Sequence, residues 1–150
     1  MAEAVRLSRE NMLAGSGGPF GAVVVHQDQI IGRGSNQVTS QNDPTLHAEI
    51  LAIRQACQAV GHFHLEGTTL YASCEPCPMC FGAIHWARIA RVYYANTQSD
   101  AAAIGFSDAF IYDELALPHA RRTIPMLQLP SDAAREAFRL WEQKVDKTEY

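Results

Sequence analysis

The sequence has no run of lysine and arginine, and its 12 basic side chains are outnumbered by 16 acidic ones, for a net charge of -4. A protein that binds nucleic acid usually concentrates positive charge on one face, where it neutralises phosphates. The composition therefore predicts no nucleic-acid partner.

Long apolar runs are also absent. The longest candidate, residues 20–25, is interrupted by Gly21 and is far shorter than the ~18 apolar residues that a membrane helix needs. No positively charged segment followed by an apolar stretch marks a secretory signal. We therefore expect no membrane association and a cytoplasmic location.

Cysteine is scarce, with 4 residues in a chain of 150, and three of them lie close together at Cys74, Cys77 and Cys80. Such crowding beside a histidine motif favours a metal site over disulfides and indicates a reducing compartment. With 47% hydrophobic residues, the chain is long enough to bury a core without covalent cross-links. We expect a single domain over residues 1–150.

Strand and helix patterns alternate along the chain. Strands are predicted at residues 20–26, 30–35, 68–73, 91–95 and 123–129. Helices are predicted at residues 2–14, after Asp43 with Pro44 at the first position, from Pro76 or Pro78 to about residue 86, and at residues 131–144. Residues 106–115 are predicted to be short and irregular or helical, and residues 145–150 to form a tail.

The most informative motif pairs His47-Ala48-Glu49 with Pro76-Cys77-Pro78-Met79-Cys80. H-x-E followed by P-C-x-x-C is the signature of zinc deaminases. The imidazole of His47 and the thiolates of Cys77 and Cys80 supply three ligands to a tetrahedral zinc ion and leave the fourth position for water. Zinc lowers the pKa of such a water to about 7, so hydroxide is available near neutral pH. Glu49 is then the candidate proton carrier.

The spacing of His47 and Glu49 constrains where the metal lies. Residues two apart on a regular helix point to nearly opposite sides, so both can serve one ion only if it lies off the helix end. A helix start also favours thiolate at Cys77 and Cys80, because exposed amides and the helix dipole stabilise negative charge. We predict a metal site at the starts of two helices, with His47 in a first turn.

Other arrangements of these residues stay open. Cys74 is a candidate fourth ligand of a purely structural zinc site, which would leave Glu49 without a task. The C-x-x-C pair alone also fits a thioredoxin-like dithiol, and His47 alone would more often be a core or surface residue. The corresponding non-enzymatic function is a zinc-stabilised interaction module.

A zinc deaminase acts on an amidine-like N=C–NH2 group. Activated water attacks the carbon while Glu49 moves protons to the ring nitrogen and then to the departing ammonia. Cytosine, adenine and guanine all carry this group. The metal motif therefore indicates deamination and leaves the identity of the base open.

Further segments extend the motif. They are residues 17–22 (GGPFGA), 42–45 (NDPT), 82–88 (GAIHWAR), 100–112 (DAAAIGFSDAFIY), 122–125 (RTIP) and the terminal Glu149-Tyr150. With them the chain resembles the cytidine-deaminase-like superfamily over nearly its whole length, and the later segments resemble its bacterial guanine deaminases. The resemblance implies an α/β fold, a three-layer α/β/α sandwich with a central five-stranded mixed sheet, and one zinc ion per subunit between the starts of the second and third helices.

The resemblance also implies a reaction, the hydrolysis of guanine at C2 to xanthine and ammonia. Asp108 would be a second proton-handling carboxylate beside Glu49. The residues that the resemblance places around the substrate are Phe20, Asn36, Ala48, Trp86 and Tyr150. Asn36 would recognise the base, and Tyr150 would close the site from the tail in a homodimer with exchanged C-terminal segments.

Without the resemblance, these residues have ordinary interpretations. Asp108 is interpreted as a helix cap, Asn36 as a turn residue and Tyr150 as a frayed end. His85 lies near the expected pocket at a position where other members carry another aromatic, so part of the specificity stays open. The alternative substrates are cytosine or an aminotriazine such as ammeline, followed by adenosine in a tRNA, which the acidic charge disfavours.

Overall fold

A computed structural model describes all 150 residues of the chain. The chain divides into two compact units, Met1–Ala109 and Phe110–Tyr150. The expectation of one domain over residues 1–150 stays a prediction. None of the helices combines the length and the hydrophobicity that a membrane crossing requires.

The N-terminal unit is built on a mixed sheet of 4 strands in the order β2-β1-β3-β4. The strands are β1 Gly21–His26, β2 Gln29–Ser35, β3 Thr69–Cys74 and β4 Arg91–Asn96. β1 pairs antiparallel with β2 and β3, whereas β3 and β4 are parallel. The carboxyl ends of β3 and β4 therefore lie at the same edge of the sheet, where the cysteine-rich loop begins.

Helices precede, connect and follow these strands in the chain. They are α1 Ala2–Leu13, α2 Val38–Gln41, α3 Ala48–Val60, α4 Pro78–Trp86, α5 Gln98–Ala103 and α6 Ala109–Ala116, which starts at the last residue of the unit. The C-terminal unit adds a 3-10 turn at His119–Arg121 and α7 Asp132–Gln143. The bounds of α1, α4 and α7 agree closely with the sequence predictions, whereas α2 and α5 were not predicted.

Helices lie on both faces of the sheet. A Cβ on Gly21 would lie 2.2 Å from the carbonyl oxygen of Ala4 in α1, and one on Gly34 would lie 2.0 Å from that of Ala48 in α3. Gly34 pairs with Ala22, the neighbour of Gly21, so the two glycines face opposite sides of the sheet. α1 and α3 therefore cover opposite faces, and the predicted α/β fold with a mixed sheet is confirmed.

The core lies between the sheet and α3. Its buried members include Ala22, Val24, Leu70 and Ala72 from the strands, Ala48, Ala52 and Ala56 from α3, and Ile84 from α4. Alanine on the helix and glycine on β2 leave little side-chain bulk between the two backbones. The start of α3 is therefore packed tightly against β2.

The predicted fifth strand at residues 123–129 is wrong, and the sheet has 4 strands. Leu127 and Leu129 are 89% and 91% exposed, so the apolar alternation of this segment covers no core within the chain. A strand exists only where a neighbouring backbone pairs with it, and Pro125 has no N–H to donate. The first residue of the segment, Thr123, bonds to a side chain and not to a neighbouring strand: its backbone N and Oγ1 donate to the Glu114 carboxylate at 2.8 and 2.7 Å.

The start of α3 also differs from the sequence prediction, which placed it after Asp43. The Oδ1 atom of Asp43 accepts hydrogen bonds from the backbone N and the Oγ1 of Thr45, at 2.8 and 2.7 Å. This carboxylate closes a local turn and does not cap a helix. α3 begins at Ala48, and His47 is its N-cap rather than a member of its first turn.

Candidate functional site

Three atoms that can bind a metal meet where α3 and α4 begin. His47 Nδ1 lies 3.5 Å from the Sγ of Cys77 and 3.5 Å from the Sγ of Cys80, and all three lie within 4.8 Å of one another. His47 and Cys77 are the N-caps of α3 and α4, and both have an extended backbone. Pro78 suits the first position of α4, because no N–H is required there. The metal-binding atoms thus lie off two helix ends, which accommodates the two-residue spacing of His47 and Glu49.

The separation of these atoms fits zinc. In a tetrahedral site with Zn–S of about 2.3 Å and Zn–N of about 2.0 Å, a nitrogen and a sulfur ligand lie about 3.5 Å apart. Cys74 lies outside the group, and its Sγ is 3.6 Å from the carbonyl oxygen of Thr97. Burial raises the pKa of the Cys74 thiol to about 11. The group of metal-binding atoms therefore has three members, and Cys74 is not among them.

The two thiols at the site do not ionise alike. A hydrogen bond with Cys80, and then one with His47, lowers the pKa of Cys77 to about 4. The same contact with Cys77, together with burial, raises the pKa of Cys80. The pKa of His47 is raised first by its contact with Cys77, and the charges of Glu49 and Asp108 act in the same direction. A divalent cation bound by both sulfurs must therefore displace the proton of Cys80.

Glu49 lies in the first turn of α3 and is 7% exposed. Burial raises the pKa of its carboxyl group, the charge of Cys77 raises it further, and His47 partly opposes the rise. A side-chain hydrogen bond with Cys80 also acts on this group, so the carboxyl lies beside the metal-binding atoms. A carboxyl group whose pKa is moved toward neutrality is suited to take up and return protons.

Asn36, the candidate base-recognising amide, is buried at the end of β2. Its Oδ1 accepts hydrogen bonds from the backbone N of Gly18 at 3.2 Å and of Val38 at 3.3 Å. Its carbonyl oxygen accepts a hydrogen bond from Asn11 Nδ2 at 2.7 Å, and the same Nδ2 lies 3.3 Å from the carbonyl oxygen of Gly18. These contacts orient the side chain of Asn36 so that Nδ2 is the group left to donate to a ligand.

Sequence reasoning missed Asn11. It is buried in α1 on the same face as Ala4, seven positions earlier. A polar residue on the buried face of a helix must find partners inside the protein, and Asn11 finds them in the Gly18 and Asn36 loops. The helical periodicity of α1 was the signal available in the sequence.

Phe20 lies in the same loop region and forms an edge-to-face pair with Phe106, with ring centroids 5.0 Å apart and planes at 89°. A Cβ on Gly18 would lie 3.2 Å from the ring of Phe20 and 3.3 Å from that of Phe106. A Cβ on Gly17 would lie 2.0 Å from the carbonyl oxygen of Asn36. The two glycines therefore let this loop hold an aromatic pair and a carboxamide close together.

The other predicted substrate residues have different surroundings. The side chain of Ala48 is part of the core, so only its backbone at the helix start is available to a ligand. Trp86 ends α4 and is 66% exposed, and His85 packs edge-on against Phe81 with ring centroids 4.5 Å apart. Tyr150 ends the C-terminal unit.

Asp108 lies just before α6 and is half-buried. Its Oδ1 accepts a hydrogen bond of 2.6 Å from Gln98 Nε2, at the start of α5. Its negative charge acts on the pKa of His47, after the larger effect of Cys77, so Asp108 lies within electrostatic reach of the metal-binding atoms. Gln98 carries no motif in the sequence, because its partner is ten positions away across a loop.

Residues 1–96 match the family described as the cytidine and deoxycytidylate deaminase zinc-binding region. The chain is similar to the guanine deaminase of Bacillus subtilis (strain 168), with 50% identity over 147 residues, which are 98% of this chain and 94% of that protein. The X-ray structure of guanine deaminase from Bacillus subtilis superposes with a TM-score of 0.96 at 50% identity, over 99% of this chain and 95% of that one.

A second kind of relative matches a shorter region. The tRNA-specific adenosine deaminase of Buchnera aphidicola subsp. Schizaphis graminum (strain Sg) is 48% identical over 82 residues, which are 55% of this chain and 54% of that protein. The similarity to the guanine deaminase therefore includes the C-terminal segments, whereas the similarity to the tRNA deaminase covers about half of the chain.

Proposed function

This chain belongs to the family with the cytidine and deoxycytidylate deaminase zinc-binding region, and from that premise we propose that it hydrolyses guanine at C2 to xanthine and ammonia. The observation that carries the choice of guanine is the 50% identity to a guanine deaminase over 98% of the chain. That range includes Asp108 and α7, which lie outside the family match at residues 1–96. The proposed role is in purine metabolism in the cytoplasm, with residues 1–150 as one functional domain.

His47, Cys77 and Cys80 would hold zinc, which supplies a Lewis acid able to activate water near neutral pH. Glu49 is the proposed catalytic acid and base. Its buried carboxylate takes a proton from the attacking water and delivers it to the ring nitrogen next to C2. A second proton then passes to the exocyclic amino group, which departs as ammonia. Guanine and water are thus converted to xanthine and ammonia with no other reactant.

The proposed recognition of the base uses the loops around Asn36. Its Nδ2 donates to an acceptor on the purine, because its Oδ1 is already bound by two backbone amides. Phe20 and Trp86 supply aromatic surface, and the backbone amide of Ala48 supplies a donor at the start of α3. Asp108 is the proposed second carboxylate, which receives a proton from the amino group or returns one to it.

We also propose that the functional form is a homodimer with exchanged C-terminal segments. β4 is an edge strand, and its Tyr93 and Tyr94 are 46% and 48% exposed. Residues 123–129 have the alternating pattern of a strand but pair with none, and Phe138 of α7 is 82% exposed. A second copy can cover these surfaces and bring its Tyr150 over the site. Sedimentation equilibrium would test this, and a monomer at micromolar concentration would contradict it.

Ammonia release across a panel of substrates tests the reaction. The zinc-loaded protein is incubated with guanine, cytosine, ammeline, adenosine and an adenosine-containing tRNA anticodon stem, and xanthine is measured by chromatography in the guanine sample. We expect the highest kcat/KM for guanine. A higher value for cytosine or for the tRNA would overturn the assignment of guanine, and a protein that releases no ammonia from any of them would favour the zinc-stabilised interaction module.

A further inference from the structure

Gln98 connects the metal-binding loop to Asp108 through two hydrogen bonds. Its side-chain Nε2 donates to Asp108 Oδ1 at 2.6 Å, and its backbone N donates to Glu75 Oε2 at 2.9 Å. Glu75 lies between the end of β3 and Cys77, and its own backbone N donates to the carbonyl oxygen of Asn96 at 2.9 Å. Gln98 therefore lies between the loop that carries a metal ligand and the second carboxylate of the site.

The backbone of Gln98 is held firmly at the start of α5. The preceding residue, Thr97, forms a capping box with Asp100, in which Thr97 N donates to Asp100 Oδ2 at 2.8 Å and Asp100 N donates to Thr97 Oγ1 at 3.2 Å. The carbonyl oxygen of Thr97 also accepts from the buried Cys74 Sγ at 3.6 Å. The amide group of Gln98 thus extends from a backbone position that several contacts define.

Asp108, in contrast, lies at the end of an exposed connection. Residues 102–107 are exposed, and Gly105 in this stretch has a φ of +93°. The side chain of Asp108 accepts a hydrogen bond from the amide of Gln98. A hydrogen bond to an ionised carboxylate is stronger than one between two neutral groups. The bond from Gln98 holds Oδ1 and leaves Oδ2 available for a proton of the substrate.

We propose that Gln98 is a positioning residue that orients the Asp108 carboxylate for proton transfer, an inference that rests on the proposed function. Gln98 has no contact with the reacting atoms. It acts through Asp108 by fixing one carboxylate oxygen, so that the other keeps a single orientation toward the amino group that leaves. The loss of Gln98 should then affect the rate of the reaction more than the binding of the base.

A double-mutant cycle tests the proposal. Gln98→Met keeps the length of the side chain and removes its N–H donor, and Asp108→Ala removes the carboxylate. We expect Gln98→Met to lower kcat on guanine about tenfold with KM changed less than twofold, and Asp108→Ala to lower kcat further. The double variant should match Asp108→Ala alone, because Gln98 has no effect once its partner is absent. Losses that multiply in the double variant would overturn the proposal.

Gln58→Met is the matched control, since Gln58 is an exposed residue on α3 with none of the contacts of the site. It should keep the kcat and KM of the unaltered enzyme. A Gln98→Met enzyme with unaltered kcat would also overturn the proposal.

Crystal structures of the zinc-loaded protein and of Gln98→Met give a readout that does not depend on the substrate. We expect the Gln98–Asp108 hydrogen bond in the first structure and a displaced or disordered Asp108 carboxylate in the second. An Asp108 that keeps its position in Gln98→Met would overturn the positioning role. An unaltered protein that is inactive on guanine would instead overturn the proposed function, and the two structures would still decide the role of Gln98.

Discussion

A Cβ on Gly34 would lie 2.0 Å from the carbonyl oxygen of Ala48, so β2 and the start of α3 are in backbone contact at this point. Ala48 directly follows the metal ligand His47. The position of the imidazole therefore depends on a strand residue that has no side chain. A second glycine of β2 is equally close to α3, because a Cβ on Gly32 would lie 2.2 Å from the carbonyl oxygen of Ala52 and 2.9 Å from the Cβ of Ala56.

Gly34→Ala should disturb both the fold and the metal site. The new methyl group must push α3 away from β2, and overpacking of this kind costs about 1–3 kcal/mol of stability. We expect a lower free energy of unfolding in urea and a weaker affinity for zinc. Gly82→Ala is the control, because a Cβ at Gly82 in α4 meets no atom within 4 Å and alanine is favoured in helices. Equal effects of the two substitutions would contradict the role of the Gly34 contact.

Glu49→Gln should abolish most of the activity and leave zinc in place. The amide keeps the shape of the buried side chain but cannot take up a proton from water. A positioned acid or base contributes roughly 10²–10⁴-fold in rate, which corresponds to about 3–5 kcal/mol. Turnover of guanine and zinc content by atomic absorption are the measurements. Glu66→Gln, at an exposed residue that pairs with Arg88, should change neither, and an active Glu49→Gln enzyme would contradict the assignment.

Zinc binding should release protons, and the affinity for zinc should fall as the pH falls. The pKa of Cys77 is about 4, so this thiol is already ionised at neutral pH, whereas Cys80 retains its proton because its pKa is raised. Calorimetric titration of the metal-free protein with zinc in two buffers of different ionisation enthalpy measures the proton release. Cys57→Ser should leave it unchanged, because Cys57 lies outside the metal-binding group. Heats that do not depend on the buffer would contradict the proton held by Cys80.

Asn11→Leu should weaken binding of the base more than it slows the reaction. The carbonyl oxygens of Asn36 and Gly18 would lose their shared donor, and a buried acceptor without a partner costs about 1–3 kcal/mol. We expect a lower melting temperature and a higher KM for guanine. Asn11→Asp should be worse, because its carboxylate would face both carbonyl oxygens. A KM equal to that of the unaltered enzyme in both variants would show that the loop holds Asn36 without Asn11.

Local patterns predicted most of the fold. The strands β1 to β4 and the helices α1, α4 and α7 lie within one or two residues of their predicted positions, because apolar periodicity and the turn residues around them act over short distances. The start of α3 was misplaced, because Asp43 followed by Pro44 has the local signature of a helix cap. Only the structure shows that the backbone N and the Oγ1 of Thr45 donate hydrogen bonds to that carboxylate.

Nonlocal pairing accounts for what the sequence could not predict. Residues 123–129 carry a strand pattern, but a strand also needs a neighbour, and pattern alone does not identify one. In the same way, the metal-binding residues were found because each belongs to a short motif of known chemistry, although His47 and Cys77 are 30 positions apart. Asn11 and Gln98 belong to no motif, and they act on residues 25 and 10 positions away. The roles of Asn11 and Gln98 can be identified only after the strands and helices have brought them and their partners together.

Glu3 should make the protein more stable at neutral pH than at low pH. Hydrogen bonds from Arg6, and then from Arg33, lower the pKa of Glu3 to about 2. Because the folded pKa lies below the ordinary value of 4.5, the stabilisation is present above pH 4.5 and is lost as the pH falls toward 2. The contact with Arg33 at 3.1 Å joins α1 to β2, the strand that packs against the start of α3.

Glu3→Gln removes this stabilisation at neutral pH, and its effect on stability should be small at low pH, where Glu3 is protonated. In urea unfolding, the stability difference between the two proteins should therefore be constant above about pH 5.5 and should shrink toward pH 3, and salt should reduce it further because the pair is exposed. Glu10→Gln is the matched control, since Glu10 binds Arg6 within α1 and makes no contact with β2. A stability difference that stays the same at pH 3 would contradict the ionic origin of the link between α1 and β2.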